Sequence, residues 1–219
     1  MPAQPAPTVG GDETLFEAIA ADLREGGYSV RHGALPEALA ASLRTEVAAL
    51  PAQSFRPAGV GRAGDHQLNR FVRGDAICWI QGASPAAAAW VAWTGRLREA
   101  LNRHLLLGLF SFESHYACYG PGDFYRRHVD AFRGEANRVL SLVAYLNPGW
   151  GPADGGELVL YRDADDREGL RVTPLQGTLV TFLSEDIPHE VLPAARPRYS
   201  IAGWYRVNGS SAARGDPPR

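Results

Sequence analysis

Two residues that can bind a metal ion, His128 and Asp130, follow a turn near the middle of the chain. The residues up to Tyr119 alternate as in a β-strand, and Gly120-Pro121-Gly122-Asp123 is typical of a turn. Because residues two apart in an extended segment point to the same side, this imidazole and carboxylate would face one point. They are two of the three ligands in the 2-His-1-carboxylate arrangement that holds non-haem Fe(II). His-x-Asp is a short motif, so the rest of the chain must supply what such a site needs.

A third ligand is expected from a strand that is distant in sequence but adjacent to His128 across a β-barrel. The candidate is His189, in the segment Asp186-Ile187-Pro188-His189. Two imidazoles and one carboxylate would leave positions open on the iron for other ligands. A single histidine is usually a hydrogen-bonded core or surface residue, and this simpler interpretation is adopted for the remaining four: His32, His66, His104 and His115.

The segment after His189 contains an arginine that suits an anionic ligand. If Arg198 points into a barrel, it is a buried unpaired charge that destabilises the fold by several kcal/mol until an anion binds. Its planar guanidinium pairs with a carboxylate through two hydrogen bonds, and Ser200, on the same face, adds a hydroxyl. The pattern favours a dicarboxylic cosubstrate whose other end binds the metal. The alternative is a surface arginine on an edge strand.

The composition of the chain excludes several other kinds of site. All 22 basic residues are arginine, and without lysine the chain can form neither a Schiff base nor a P-loop. The net charge of −2 at pH 7 does not favour nucleic acid as a partner, because nucleic-acid-binding surfaces are usually basic.

Features that bear on location point to the cytoplasm. No segment reaches the length of an apolar membrane span, and residues 1–7 lack the basic and apolar regions of a signal peptide. Cys78 and Cys118 lie in apolar runs and are expected to be buried free thiols of a reducing compartment. We therefore expect a cytoplasmic protein with no membrane partner. The sequence does not define its oligomeric state, and a monomer is favoured.

Helical periodicity comes first in the chain and strand periodicity follows. Apolar spacing predicts helices after Asp12, from Pro36 and from Ser84-Pro85, which most simply cover one face of a sheet. After Gly108, short apolar or alternating runs predict at least seven strands, hence a mainly β fold with flanking helices (α+β), an antiparallel barrel or sandwich. The predicted strands are 109–119, 138–146, 157–161, 170–173, 177–183, 188–192 and 198–207. The predicted organisation is a disordered tail (1–11), one domain (12–207, with helical support in 12–107 and the β core mainly in 109–207) and a loose C-terminal tail (208–219).

The stretch 55–75 contains Gly59-Val60-Gly61-Arg62-Ala63-Gly64, which matches the Gly-x-Gly-x-x-Gly of dinucleotide-binding sites. A dinucleotide motif leaves a strand and opens a helix, whereas this one follows Pro57 and leads into strand-like residues 68–72. We interpret it as a mobile loop between two strands, of the kind that closes over a substrate.

Taken together, these motifs resemble a known family. His128-x-Asp130, His189 and Arg198-x-Ser200 are similar to the Fe(II)- and 2-oxoglutarate-dependent dioxygenases, which have a double-stranded β-helix (jelly-roll, cupin-like) core. The likeness is closer to the prolyl 4-hydroxylase branch, meaning the hypoxia-inducible-factor prolyl hydroxylases and their bacterial relatives. It covers residues 55–207, and the further segments that carry it are Arg73–Ile80, Ala117–Tyr119, Tyr145–Trp150, Gly155–Leu158 and Pro188–Val191.

The resemblance implies a role for each matching residue. His128, Asp130 and His189 would bind the iron and, with Arg198, form the catalytic set. Arg198 and Tyr145, with Ser200, would bind the distal carboxylate of 2-oxoglutarate, and Tyr119 would lie near its metal-bound end. Residues 55–75 would form the closing loop, and the residues implied to face the substrate are Asp75, Tyr125, Arg138 and Trp204.

The implied reaction is hydroxylation of a prolyl residue in a protein, coupled to decarboxylation of 2-oxoglutarate to succinate and CO2. Its cofactors would be Fe(II), 2-oxoglutarate and O2, with ascorbate as a candidate reductant. Bacterial relatives point to elongation factor Tu as the protein partner. The alternatives are an oxygenase of a free amino acid, another small molecule or an alkylated base, and a non-catalytic metal-binding β-barrel that serves as a scaffold or sensor.

Overall fold

Three helices precede most of the strands in the computed structural model, which describes residues 9–59, 72–131 and 137–208. They are α1 (Val9–Gly26), α2 (Glu37–Ala49) and α3 (Pro85–Leu105). Because α1 begins at Val9, residues 9–11 are helical instead of belonging to the expected tail, and Asp12 lies in the first turn. Much of the predicted closing loop (60–71) and nearly all of the predicted C-terminal tail (209–219) lie outside the described residues.

Eleven strands form within the described residues, and all seven predicted after residue 108 are present within two residues of their predicted bounds. The short strands β2 and β3 lie at the two ends of the stretch interpreted as a loop between two strands, but their bounds were not predicted. In chain order the strands are β1 (Tyr28–Arg31), β2 (Arg56–Pro57), β3 (Ala76–Trp79), β4 (Leu109–Tyr119), β5 (Tyr125–His128), β6 (Arg138–Tyr145), β7 (Leu158–Leu160), β8 (Leu170–Val172), β9 (Leu179–Leu183), β10 (His189–Val191) and β11 (Arg198–Val207).

The strands pair antiparallel into two sheets. The larger has seven strands in the order β1-β9-β6-β11-β4-β3-β2, and the smaller has four in the order β5-β10-β7-β8. Their inner faces meet in one apolar cluster, to which the larger sheet contributes Tyr145 and Val180 and the smaller one Leu158 and Leu160. This arrangement agrees with the predicted mainly β fold, and it leaves two inner faces between which a site can form.

The helices cover the outer face of the larger sheet, as predicted. Side chains of all three helices, such as Phe16, Leu43 and Leu97, share a second apolar cluster with Leu140 and Ile201 of that sheet. None of the helices in the described part of the chain combines the length and the apolar character that crossing a membrane requires. The helical layer therefore supports the sheet from behind.

The predicted start of α3 is confirmed in detail. The Ser84 hydroxyl accepts a hydrogen bond from the Ala87 backbone N–H at 3.0 Å, and Pro85 occupies the first turn, where its missing N–H costs nothing. The helix ends at Leu105, and the next residue, Leu106, has φ 55° and is 87% exposed. This left-handed residue stops the helix so that the chain can turn into β4.

Replacing Trp90 by alanine is expected to destabilise the fold strongly. Trp90 is fully buried and donates its indole N–H to Ser114 Oγ at 3.0 Å, which joins α3 to β4. We expect the free energy of unfolding, measured by urea denaturation, to fall by about 3–5 kcal/mol. Val91→Ala is the matched control, because Val91 is 50% exposed on the same helix and should change stability by no more than about 0.5 kcal/mol. Equal losses in the two variants would show that this side of α3 is not part of the core.

Candidate metal centre

The smaller sheet brings the three predicted metal ligands together. Strands β5 and β10 are neighbours and pair His128 directly with His189. Asp130 lies two residues after β5, where its backbone N–H donates to the carbonyl of Ser184 at 3.1 Å. One ligand atom from each of the three side chains lies within 4.8 Å of the other two.

The geometry of these atoms fits a ferrous ion. Asp130 Oδ1 lies 3.6 Å from His128 Nε2 and 3.8 Å from His189 Nε2. Two ligands that each lie about 2.1 Å from a metal can be no more than about 4.2 Å apart. The Nδ1 atoms of His128 and His189 lie 2.8 and 3.1 Å from the backbone carbonyls of Arg126 and Ile187. A carbonyl only accepts, so Nδ1 carries the proton and Nε2 offers its lone pair to the metal.

The protonation states also suit a metal site. Burial lowers the pKa of His189 to about 4, and repulsion by His128 acts in the same direction. Burial alone would raise the pKa of Asp130, but His189, His128 and a hydrogen bond from Ser141 hold it well below its ordinary value. At neutral pH, His189 is therefore a neutral imidazole and Asp130 a carboxylate, the forms that bind metal ions.

Two serines that the sequence did not single out orient the carboxylate. The hydroxyl of Ser141 on β6 donates to Asp130 Oδ2 at 2.5 Å, and Ser184 Oγ lies 2.9 Å from Ser141 Oγ. Oδ2 is thereby engaged, while Oδ1 is the oxygen that lies near both imidazoles. Alternation along β6 could have shown that Ser141 faces inward, but not that it meets Asp130.

The second predicted group, around Arg198, lies between the two sheets. Arg198 is 1% exposed, and its Nε donates to the Gly156 carbonyl at 2.8 Å while Nη1 donates to Ser200 Oγ at 3.3 Å. Its guanidinium carbon lies 4.9 Å from the ring centre of Tyr119 and 5.0 Å from that of Tyr145. In the described part of the chain no carboxylate forms an ion pair with Arg198. The surface-arginine alternative is therefore wrong, and a buried cation lies where an anionic ligand would neutralise it.

Gly156 permits this close approach to the guanidinium. Its φ is +70°, and a Cβ on it would lie 3.1 Å from Arg198 Cδ and 2.9 Å from Ala194 Cβ. Any larger residue here would displace Arg198 or strain the backbone. The sequence motif contained this glycine, but its role depends on the approach of Arg198 from another strand.

Tyr145 supplies an unused hydroxyl beside Arg198. Its Oη is buried and has no hydrogen-bond partner among the residues that the structure describes. Burial raises the pKa of Tyr145 to about 12, which outweighs the effect of Arg198, so the hydroxyl is a neutral donor at pH 7. A buried hydroxyl without a partner costs about 1–3 kcal/mol, and an incoming carboxylate oxygen would relieve that cost.

Tyr145→Phe is therefore expected to separate binding from stability. The variant should raise the KM for 2-oxoglutarate by about 10–100-fold, since a hydrogen bond to a charged group contributes about 1.5–3 kcal/mol, while its thermal unfolding midpoint stays the same or rises. Tyr205→Phe is the control, because the buried Tyr205 hydroxyl donates to the Thr94 carbonyl at 2.9 Å. That variant should lose stability without any change in the KM. An unchanged KM in Tyr145→Phe would contradict the role of Tyr145.

Of the four residues expected to face the substrate, Tyr125, Arg138 and Trp204 lie near the candidate metal ligands. The carboxylate of Asp75 instead pairs with Arg73. The Tyr125 ring stacks on the His128 imidazole at 3.5 Å between centres. Both oxygens of Asp75 accept hydrogen bonds from Arg73, at 2.7 and 2.6 Å, and Asp75 is 2% exposed. Its carboxylate is thus engaged, and its observed effect is to hold Arg73 over the Tyr125 ring at 4.3 Å.

An aromatic wall, defined as Trp79, His115 and Trp204, runs beside the ligands along the inner face of the larger sheet. The His115 ring lies 5.1 Å from the Trp79 ring and 5.4 Å from the Trp204 ring. Arg138, held by Glu113 at 2.8 Å, stacks over Trp204 at 3.7 Å. His115 is 3% exposed, and its Nδ1 has no hydrogen-bond partner among the described residues. The interpretation of His115 as a core residue agrees with this burial, whereas Nδ1 makes no hydrogen bond within the described part of the chain.

Comparison with known proteins finds relatives that share this fold. The model of the 2OG-Fe(II) oxygenase superfamily matches residues 114–206. A solved prolyl-4-hydroxylase from Pseudomonas putida is 41% identical, with a TM-score of 0.78 over 89% of this chain and 100% of that one. A prolyl hydroxylase from Trichoplax adhaerens, solved with a hypoxia-inducible-factor peptide, is 25% identical, with a TM-score of 0.77 over 93% and 94%. The predicted double-stranded β-helix core with N-terminal helices is confirmed by these structures.

A curated relative extends well beyond this chain. Human Egl nine homolog 1 is 32% identical over 145 residues, which make up 63% of this chain and 34% of the relative. The chain thus spans about a third of that protein's length.

Proposed function

Because the chain belongs to the 2OG-Fe(II) oxygenase superfamily, as its motifs indicated, we propose that it hydroxylates a prolyl residue in a protein. Its cofactors would be the Fe(II), 2-oxoglutarate and O2 of this family. One observation carries the proposal: three candidate metal ligands and a buried guanidinium, which has no carboxylate partner among the described residues, line the space between the two sheets. Ascorbate as a reductant and a cytoplasmic location belong to the same proposal.

The residues divide the work of such a reaction. His128, Asp130 and His189 would hold the iron, and Arg198, Tyr145 and Ser200 would bind the distal carboxylate of 2-oxoglutarate. When bound, the iron and 2-oxoglutarate would supply the oxidising chemistry. In it, O2 converts 2-oxoglutarate to succinate and CO2, and one oxygen atom enters a substrate C–H bond. The chain's own contribution is positioning and the exclusion of water, since Arg198, Tyr145 and Tyr119 are at most 4% exposed.

The aromatic wall supports a protein substrate over a small one. Trp204 lies beside Ser141 in the paired strands and so close to Asp130, whereas Trp79, at the other end, is 48% exposed. A continuous aromatic surface from the ligands to solvent suits an extended peptide that contains proline, because pyrrolidine rings pack well on aromatic faces. The solved relatives from Pseudomonas putida and Trichoplax adhaerens are both named as prolyl hydroxylases, which points the same way.

The first candidate substrate to test is elongation factor Tu. Incubation with Fe(II), 2-oxoglutarate and O2 should add the mass of one oxygen atom to a single prolyl residue, detected by peptide mass spectrometry. Asp130→Ala is the negative control. If elongation factor Tu and proline-containing peptides stay unmodified while free amino acids react, the proposal of a protein substrate is wrong. If metal binds but 2-oxoglutarate is never converted to succinate, the protein is a scaffold or sensor instead.

A further inference from the structure

Three side chains on the outer face of the smaller sheet link the strands that carry the two histidines. Arg127 precedes His128 and Glu190 follows His189, so both point away from the metal ligands. The Arg127 guanidinium carbon lies 3.7 Å from the ring centre of Tyr161, and the Tyr161 hydroxyl donates to Glu190 Oε1 at 2.5 Å. No step proposed above uses these three residues, which we call the outer brace.

The turn 162–169 clamps the outer brace against the sheet. Asp166 organises this turn by accepting hydrogen bonds from the backbone N–H groups of Arg162, Glu168 and Gly169. The ordered turn then offers two backbone carbonyls, of Asp163 and Asp166, to the Arg127 guanidinium, the second at 2.8 Å. Arg127 is thereby held over the Tyr161 ring by two hydrogen bonds.

Gly169 closes the clamp from the other end of the turn. Its φ is +65°, and an added Cβ would lie 2.8 Å from Tyr161 Cε1 and 2.5 Å from Val159 Cγ1. The position therefore accepts only glycine without displacing the Tyr161 ring. Such close packing fixes the place of the ring more firmly than its hydrogen bond alone would.

Few backbone pairs connect β5 and β10, the two strands that carry His128 and His189. Strand β5 pairs with β10 only at His128–His189 and at Tyr125–Val191, and the register shifts between these pairs. A ladder of this length does little to prevent the strands from sliding or separating. The outer brace adds a side-chain connection at the point where the histidines must stay aligned.

We propose that Arg127, Tyr161 and Glu190 are positioning residues that set the metal affinity of the site. By fixing β5 against β10, they keep the two Nε2 atoms at the separation that a single ion requires. The proposal rests on the metal site of the proposed function. It concerns how tightly the protein binds the metal ion, and not the reaction that follows.

The test measures metal binding without turnover. Mn(II) dissociation constants are determined by electron paramagnetic resonance in the absence of 2-oxoglutarate. Tyr161→Phe keeps the ring and its packing but removes the bond to Glu190, and we expect about 3–10-fold weaker binding, below the 10–100-fold typical of groups bonded directly to a ligand. Glu190→Ala should weaken binding to a similar extent, whereas Glu190→Gln, which keeps an acceptor oxygen, should largely restore it.

Two controls separate positioning from a general loss of stability. Arg167→Ala removes an exposed side chain of the same turn and should leave the Mn(II) dissociation constant unchanged. Val47→Ala lowers stability from the buried face of α2, and it too should leave the constant unchanged. Unaltered binding in Tyr161→Phe and Glu190→Ala, or equal weakening in Val47→Ala, would overturn the proposal. A wild-type protein that binds no Mn(II) would instead count against the metal site itself.

Discussion

Replacement of Asp130 by alanine is expected to abolish turnover. Asp130 is the only anionic member of the ligand set, and its Oδ1 lies within 3.8 Å of both imidazole Nε2 atoms. Loss of a group that merely supports a ligand costs about 10–100-fold in metal affinity or activity, so loss of the ligand itself should cost more than about 100-fold. The measurement is succinate formation from 2-oxoglutarate, with Mn(II) binding followed in parallel.

The control for this variant is Glu99→Ala, which removes one exposed carboxylate from α3. It changes the net charge by the same amount and should keep full activity. If Asp130→Ala retains activity at saturating iron, the carboxylate does not bind the metal, and the arrangement of His128, Asp130 and His189 has another cause.

Arg198→Lys is expected to raise the requirement for 2-oxoglutarate strongly, with a smaller effect on kcat. Arg198 is fixed by the Gly156 carbonyl and Ser200, which leaves its planar face and remaining N–H groups for an incoming carboxylate. Lysine places a point charge where two parallel donors stood. Charge-assisted hydrogen bonds contribute about 1.5–3 kcal/mol, so the KM for 2-oxoglutarate should rise about 10–100-fold.

Arg196→Lys is the matched control, since it makes the same substitution two residues earlier. Arg196 is partly exposed and pairs with Asp154 at 2.8 Å, away from the space between the sheets. Its KM for 2-oxoglutarate should equal that of the wild type. An unchanged KM for 2-oxoglutarate in Arg198→Lys would show that the cosubstrate does not bind at Arg198.

Much of the β core could be predicted because alternation is a local property of the sequence. Strands β4 and β11 have their predicted bounds, and the inward positions of Arg198 and Ser200 follow from the period of two. The start of α1 could not be predicted in this way. Gly10 and Gly11 have low helix propensity, and residues with that composition usually lie outside a helix.

The parts of the site that escaped prediction are contacts between segments that lie far apart in sequence. Ser141 meets Asp130, and Arg73 occupies both oxygens of Asp75, only because of how turns and strands come together. The surroundings of His115 carried no signal either, since the two tryptophans beside it come from strands that are distant in sequence. Patterns in the sequence thus revealed which residues could bind the iron and the cosubstrate, but not what orients them.

A crystal structure of the protein with Mn(II) and 2-oxoglutarate, prepared without O2, tests the central claim most directly. We expect the metal at about 2.0–2.3 Å from His128 Nε2, Asp130 Oδ1 and His189 Nε2, with the distal carboxylate of 2-oxoglutarate against Arg198 and the Tyr145 hydroxyl. A metal bound elsewhere, or a cosubstrate whose distal carboxylate lies away from Arg198, would contradict the account.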